Sequence, residues 1–129
     1  MKWDETDFLD CLEVFPEIEE DDVSYAYKVM KNGMVLTVVV WPWESLVLMS
    51  LRQQEMETSI IEILLCVREG VRYIKDKRGN YLEFQDCVFL PVGASHQLVE
   101  DAFDKTRFGN GAMVQLTIKP HIQIRQVRD

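Results

Sequence analysis

The sequence predicts an α+β fold: a mainly antiparallel sheet of about six or seven strands, curled or folded as a sandwich, with an N-terminal helix and one further short helix. Three features carry this expectation. Residues 34–51 (MVLTVVVWPWESLVLMSL) hold two apolar, β-branched runs separated by Pro42. Asn32-Gly33 joins two alternating segments, where a tight hairpin needs positive φ. Residues 114–124 alternate apolar and polar side chains with a period of two.

In chain order, residues 4–14 read as a helix. Asp4 is a suitable N-cap, and the acidic first turn faces the positive end of the helix dipole. Phe8, Leu9, Leu12 and Phe15 form a narrow apolar stripe, and Pro16 ends the element. Residues 17–22 are a charged connector in which Ile18 is the one apolar side chain. Residues 23–30 alternate, with Val23, Tyr25, Tyr27 and Val29 on the apolar face, and enter the Asn32-Gly33 hairpin.

Val35 to Trp41 suits a strand because β-branched side chains are stiff at χ1 and fit a pleated surface. Pro42 cannot donate to a ladder, so the chain reverses there before a second strand, residues 46–51. The second strand is apolar on both faces except at Ser50, and such two-sided burial is expected of central strands covered above and below. Residues 52–57 form a polar loop.

Residues 58–68 fit both a strand and a helical stripe; the nearness of Gly70 and the flanking hairpin patterns favour strand. Strands 71–75 and 81–89 flank a polar turn containing Gly79. Residues 95–103 form the second helix, with Ser95 as cap and Leu98, Val99, Ala102 and Phe103 as its stripe. Residues 114–124 make one long strand with even-numbered side chains inward, held at an edge or on a bulge by Pro120.

At 129 residues the chain is expected to be one domain: an acidic helix and connector over 1–22 and a β-rich body over 23–129. No apolar run reaches the roughly 18–20 residues of a membrane span, and the N-terminus lacks the pattern of a signal peptide. A cytoplasmic location follows. Cys11, Cys66 and Cys87 are odd in number and set among apolar residues, the pattern of reduced, buried thiols.

The net charge of −8 is unevenly distributed. Residues 1–22 hold ten acidic side chains against Lys2, a local charge of −9, which leaves the other 107 residues at +1. Such a chain repels phosphate, so nucleic acid and anionic membranes are disfavoured as partners.

Little else points to chemistry. His96 and His121 lie far apart, with no nucleophile signature around them, so no catalytic residue is assigned. The three cysteines and two histidines lack zinc spacing, the acidic connector lacks the alternating ligand loop of a calcium site, and no phosphate-binding loop is present, so no metal or cofactor is expected. Lys75, Lys77 and Arg78 at a hairpin tip are interrupted by Asp76 and read as a solvated turn.

Two features remain. Trp43, just past Pro42, either closes the core at its rim or stands exposed as an interface anchor; Trp41 belongs to the rim. Glu17, Glu19, Glu20, Asp21 and Asp22 have no helix terminus to serve; they act either as solubilising surface or as a docking surface for a basic protein. The sequence leaves both choices open. The expected function is a non-enzymatic protein-binding domain, an inhibitor of a basic partner, analogous in type to the immunity proteins that neutralise nuclease toxins. The alternatives are a small-ligand-binding or weakly enzymatic β domain using a cavity under Trp41 and Trp43, and a structural module pairing as a homodimer through its edge strands.

Overall fold

The computed structural model describes residues 1–127. Among them, β1 (Glu17–Ile18), β2 (Tyr25–Lys31), β3 (Met34–Trp41), β4 (Leu46–Gln53), β5 (Ile61–Asp76), β6 (Gly79–Leu90), β7 (Ala112–Thr117) and β8 (Gln123–Val127) form one antiparallel sheet in chain order. Helix α1 (Glu5–Leu12) packs on its inner face, and α2 (His96–Asp101) and α3 (Lys105–Phe108) follow β6. No helix among the described residues is long and apolar enough to cross a membrane.

A meander of this kind is built by its turns, and their chemistry is local. Asn32 and Gly33 take φ of 52° and 76°, the positive values that match a two-residue turn to the twist of its strands. Pro42–Glu44 forms a single 3₁₀ turn, closed by Ser45 in the left-handed region. Asp4 caps α1, its side chain accepting from the Thr6 amide at 2.9 Å. Ser95 caps α2 by accepting from the Leu98 amide at 3.2 Å.

The sheet curls around α1. Phe8, fully buried, stacks 5.2 Å from Tyr27 on β2 and meets Phe84 on β6 edge-on at 6.1 Å. Those strands are four spacings apart, which in a flat sheet is roughly 19 Å. The same closure brings Asn32 Nδ2 to within 3.4 Å of the Pro120 carbonyl and Lys119 Nζ to 2.6 Å from Glu13 Oε1. The inner core runs from Tyr27 and Val38 through Leu65 and Leu82 to Leu116. A smaller outer core sets Leu64, Cys66, Val88 and Leu90 against Val99 and Ala102.

Several expectations are corrected. Among the described residues the strands number eight: the charged connector adds β1 and residues 114–124 divide into β7 and β8, while two expected strands become one. Pro120 has no N–H for a ladder, so the chain folds back there and Thr117 pairs with Gln123. The inward parity persists: Val114, Leu116 and Ile118 are buried, Ile122 and Ile124 pack half-buried against the same core, and Lys119 and Gln123 are exposed. The segments 58–68 and 71–75 merge into β5, with residues 58–60 outside it.

Gly70 is therefore no break. Lys2 pairs alongside it, donating to the Glu69 carbonyl at 3.0 Å and accepting from Val71 at 2.8 Å. A Cβ at residue 70 would stand 2.6 Å from the Lys2 carbonyl oxygen, so the close approach requires glycine. Burial on β3 and β4 is also unequal. Val38, Val40, Val47 and Met49 are buried on the inner face, whereas Leu46 and Leu48 are half-buried on the outer face at the smaller core. Phe15 and Phe103 both leave their expected stripes, because α1 ends at Leu12 and α2 at Asp101. They are 83% and 45% exposed.

All three cysteines are free and buried. Cys66 pairs with Val88 and Cys87 with Val67, and the two thiols belong to opposite faces of the sheet. Burial pushes the Cys11 and Cys87 thiols up to about 12 and raises Cys66 as well. Because the thiolate is the reactive form, native protein is expected to react with a disulfide reagent far more slowly than protein in denaturant. Rapid labelling of all three in the folded state would contradict this placement.

Candidate partner-binding surface

Strand pairing gathers the expected site residues at one end of the sheet. Glu17 lies opposite Ala26 and Ile18 opposite Tyr25, so the connector returns towards the start of β2 as a two-residue edge strand. Beyond it Glu19 donates its amide to the Ser24 carbonyl at 3.0 Å. Glu20–Asp22 then turns the chain, with Asp21 and Asp22 in the left-handed region that Asp tolerates better than most residues. Glu17, Glu19, Glu20, Asp21 and Asp22 are all exposed.

Tyr25 in turn pairs with Val40, next to Trp41 and the Pro42–Glu44 turn. The acidic turn and Trp43 thus cap the same end of neighbouring strands. Trp43 is 85% exposed, so it does not close the core at its rim. Trp41 is half-buried at the rim. Ile18 and Val23, both exposed apolar side chains, lie within or beside the acidic segment.

On its other side the Trp43 turn faces α2 across a groove of about 570 Å³. Trp43, Leu46, Ala94, Val99 and Phe103 supply its apolar wall. Glu44, Ser45, Glu100 and His96 supply its polar groups, with His96 Nε2 3.3 Å from Glu100 Oε1.

The position of α2 depends on a buried ion pair that sequence patterns did not reveal. The pairing of β5 with β6 shifts register between Val67 and Gly70, and that of β6 with β7 between Phe84 and Cys87. Arg68 and Asp86 stand at these irregularities. The Arg68 side chain is only 3% exposed. Its Nη2 donates to Asp86 Oδ1 at 2.7 Å and to the Gly109 carbonyl at 2.9 Å, while Nη1 reaches the Ala102 carbonyl at 3.2 Å. The Gly111 amide donates to Asp86 Oδ1 at 2.8 Å, and Lys105 Nζ lies 3.3 Å from Oδ2.

Burial alone would raise the Asp86 carboxyl, but hydrogen bonds from Arg68 and Gly111 outweigh it and hold the group below its ordinary value. One guanidinium therefore ties the sheet to the ends of both short helices. A signal existed in the sequence: Arg68 directly follows the apolar run 63–67, and Asp86 directly precedes the apolar run 87–90. Nothing in the spacing said that they meet.

The sequence also placed His96 and the 95–103 helix without placing them beside Trp43. Their meeting depends on α2 folding back over the outer face. His121 lies exposed in the turn between β7 and β8. Among the described residues no group of three or more His, Cys, Asp or Glu side chains is arranged to hold a metal ion.

No family model matches the chain, and no curated protein matches it in sequence. A solved structure does match in fold. It is a chain of the contact-dependent growth inhibition toxin–immunity protein complex from Klebsiella pneumoniae 342, with a TM-score of 0.67 and 16% identity. The superposition covers 96% of this chain and 92% of that one. At this identity the likeness is one of fold, and it extends over nearly the whole of both chains.

Proposed function

We propose that the chain is a non-enzymatic, immunity-like protein that binds and neutralises a basic partner in the cytoplasm. The carrying observation is the segregation of charge: five exposed carboxylates, Glu17, Glu19, Glu20, Asp21 and Asp22, on the edge of the sheet end that also presents Trp43. The fold likeness supports a place in a toxin–immunity pair, but by itself it favours neither member. Charge favours the neutralising member. A carboxylate surface accelerates encounter with a cationic one and selects against other partners, while an exposed Trp supplies the buried anchor once contact is made.

His96 pairs with Glu100 on α2, and His121 stands apart in an exposed turn. Free buried thiols suit a reducing compartment.

The test is a comparison of the full chain with a variant carrying Glu17→Gln, Glu19→Gln, Glu20→Gln, Asp21→Asn and Asp22→Asn. The partner is sought first among toxin-like reading frames adjacent to the gene, by rescue of growth on co-expression. Association should then slow by roughly tenfold or more at 0.01 M salt, and the difference should shrink towards 0.15 M as the Debye length falls from about 30 Å to about 8 Å. Equal association rates and equal salt dependence for the two forms would refute the reading.

A further inference from the structure

We infer that the groove between the Trp43 turn and α2 receives an arginine side chain of the basic partner. This deepens the reading above and rests on it for the identity of the partner.

The groove's volume, about 570 Å³, is large enough to admit a side chain from its open side. Its chemistry is two-sided. Trp43 and Phe103 offer aromatic surface that the fold leaves exposed. Glu44 and Glu100 bring carboxylates, and no Lys or Arg is among the described residues lining it. Glu44 takes part in no ion pair or side-chain hydrogen bond among the described residues; Glu100 meets only His96, through Oε1. The Met1 ammonium donates to Ser45 Oγ, which also lines the groove, at 2.9 Å.

An apolar side chain would satisfy the aromatic wall and leave Glu44 at its margin without an ion-pair partner among the described residues. A lysine would supply the charge as a compact, strongly hydrated point. A guanidinium answers both features, because its plane stacks on an indole face while its edge donates to a carboxylate in a fork. Arginine and tryptophan are also the residue types that dominate binding energy at protein interfaces.

The inference can be tested without the partner. The full chain, labelled with ¹⁵N, is titrated with three blocked tripeptides: acetyl-Gly-Arg-Gly-amide, its Lys counterpart and its norleucine counterpart. The Trp43 indole N–H is followed, after identification by its loss in Trp43→Phe. The arginine peptide should shift it saturably, with a Kd on the order of 1–10 mM, and the lysine and norleucine peptides should bind roughly tenfold more weakly. The double variant Glu44→Gln/Glu100→Gln, checked for unchanged circular dichroism, should lose most of the preference for arginine over norleucine.

Equal binding of norleucine would make the groove merely apolar. Equal binding of lysine would make it a simple anionic site. No saturable shift with any probe would remove it as a site. Each of these overturns the inference, and none touches the proposed function, which stands or falls on the carboxylates of residues 17–22. Conversely, arginine binding without a basic partner would leave the groove assigned and that reading in error.

Discussion

Arg68→Met is expected to lower the unfolding free energy by about 3 kcal/mol, measured by urea denaturation. The guanidinium is nearly inaccessible and serves three acceptors: Asp86 Oδ1 and the carbonyls of Ala102 and Gly109. Met fills part of the volume but leaves all three without that donor. Lys105 at 3.3 Å and the Gly111 amide continue to compensate Asp86, which keeps the loss at the lower end for a broken buried pair.

Adding Asp86→Asn to Arg68→Met removes the stranded charge. Asn also tolerates the φ of 56° found there and still accepts from Gly111. The double variant should therefore be less destabilised than the two single losses added together. Simple additivity would mean that the ion pair is not the unit described.

The pH dependence has a definite sign. Asp86 is held below its ordinary value in the folded protein. Its pairing thus stabilises above the unfolded carboxylate pKa of about 3.9, and that contribution is lost as pH falls through the lower folded value. The stability difference between wild type and Arg68→Met should therefore narrow in acid. A difference that stays constant from neutral pH down to about 2 would contradict the assignment. The variant also reports on the groove, because Arg68 ties down the Ala102 carbonyl immediately past α2 and so helps set Phe103 and Val99 opposite Trp43.

Phe8→Ala is expected to cost about 3–5 kcal/mol, which for a domain of this stability class is a large share of the total. Phe8 is fully buried and touches Tyr27 and Phe84 from a single helix, so the cavity it leaves lies where β2 and β6 converge. Those strands are held in the sheet by their own neighbours and cannot collapse into the space without uncurling. Leu9→Ala, at a half-buried position on the same helix, should cost distinctly less. Comparable losses at both sites would mean that α1 packs through another face.

Much of the framework was legible from the chain because antiparallel neighbours close over short distances. The Asn32-Gly33 turn, the break at Pro42 and the polar turn before Gly79 each act within a few residues, and a strand that follows its predecessor through a tight turn pairs beside it with no further instruction. Asp4 and Ser95 were legible as helix caps for the same reason: the acceptor and the amide it serves are two or three residues apart. The segregation of acidic charge into residues 1–22 is likewise a property of sequence alone.

Where the decision lay in long-range contact, local pattern was insufficient. Gly70 stood between two expected strands, yet it is a glycine because the backbone of Lys2 passes 2.6 Å from where a Cβ would sit, 68 positions earlier in the chain. The alternation of residues 114–124 ran through a turn unnoticed, since folding back at Pro120 preserves the inward parity that a single strand would have shown. Trp43 was exposed or buried only once the outer face had been covered, and the cover, α2, is fixed there in part by an Arg68–Asp86 pair joined across 18 positions. The sequence by itself determined the turns, the caps and the placement of charge along the chain, because each depends on a few adjacent residues. The curl of the sheet, the groove beside Trp43 and the gathering of acid and aromatic at one end were decided only in three dimensions, where burial and close approach join residues that no local spacing connects.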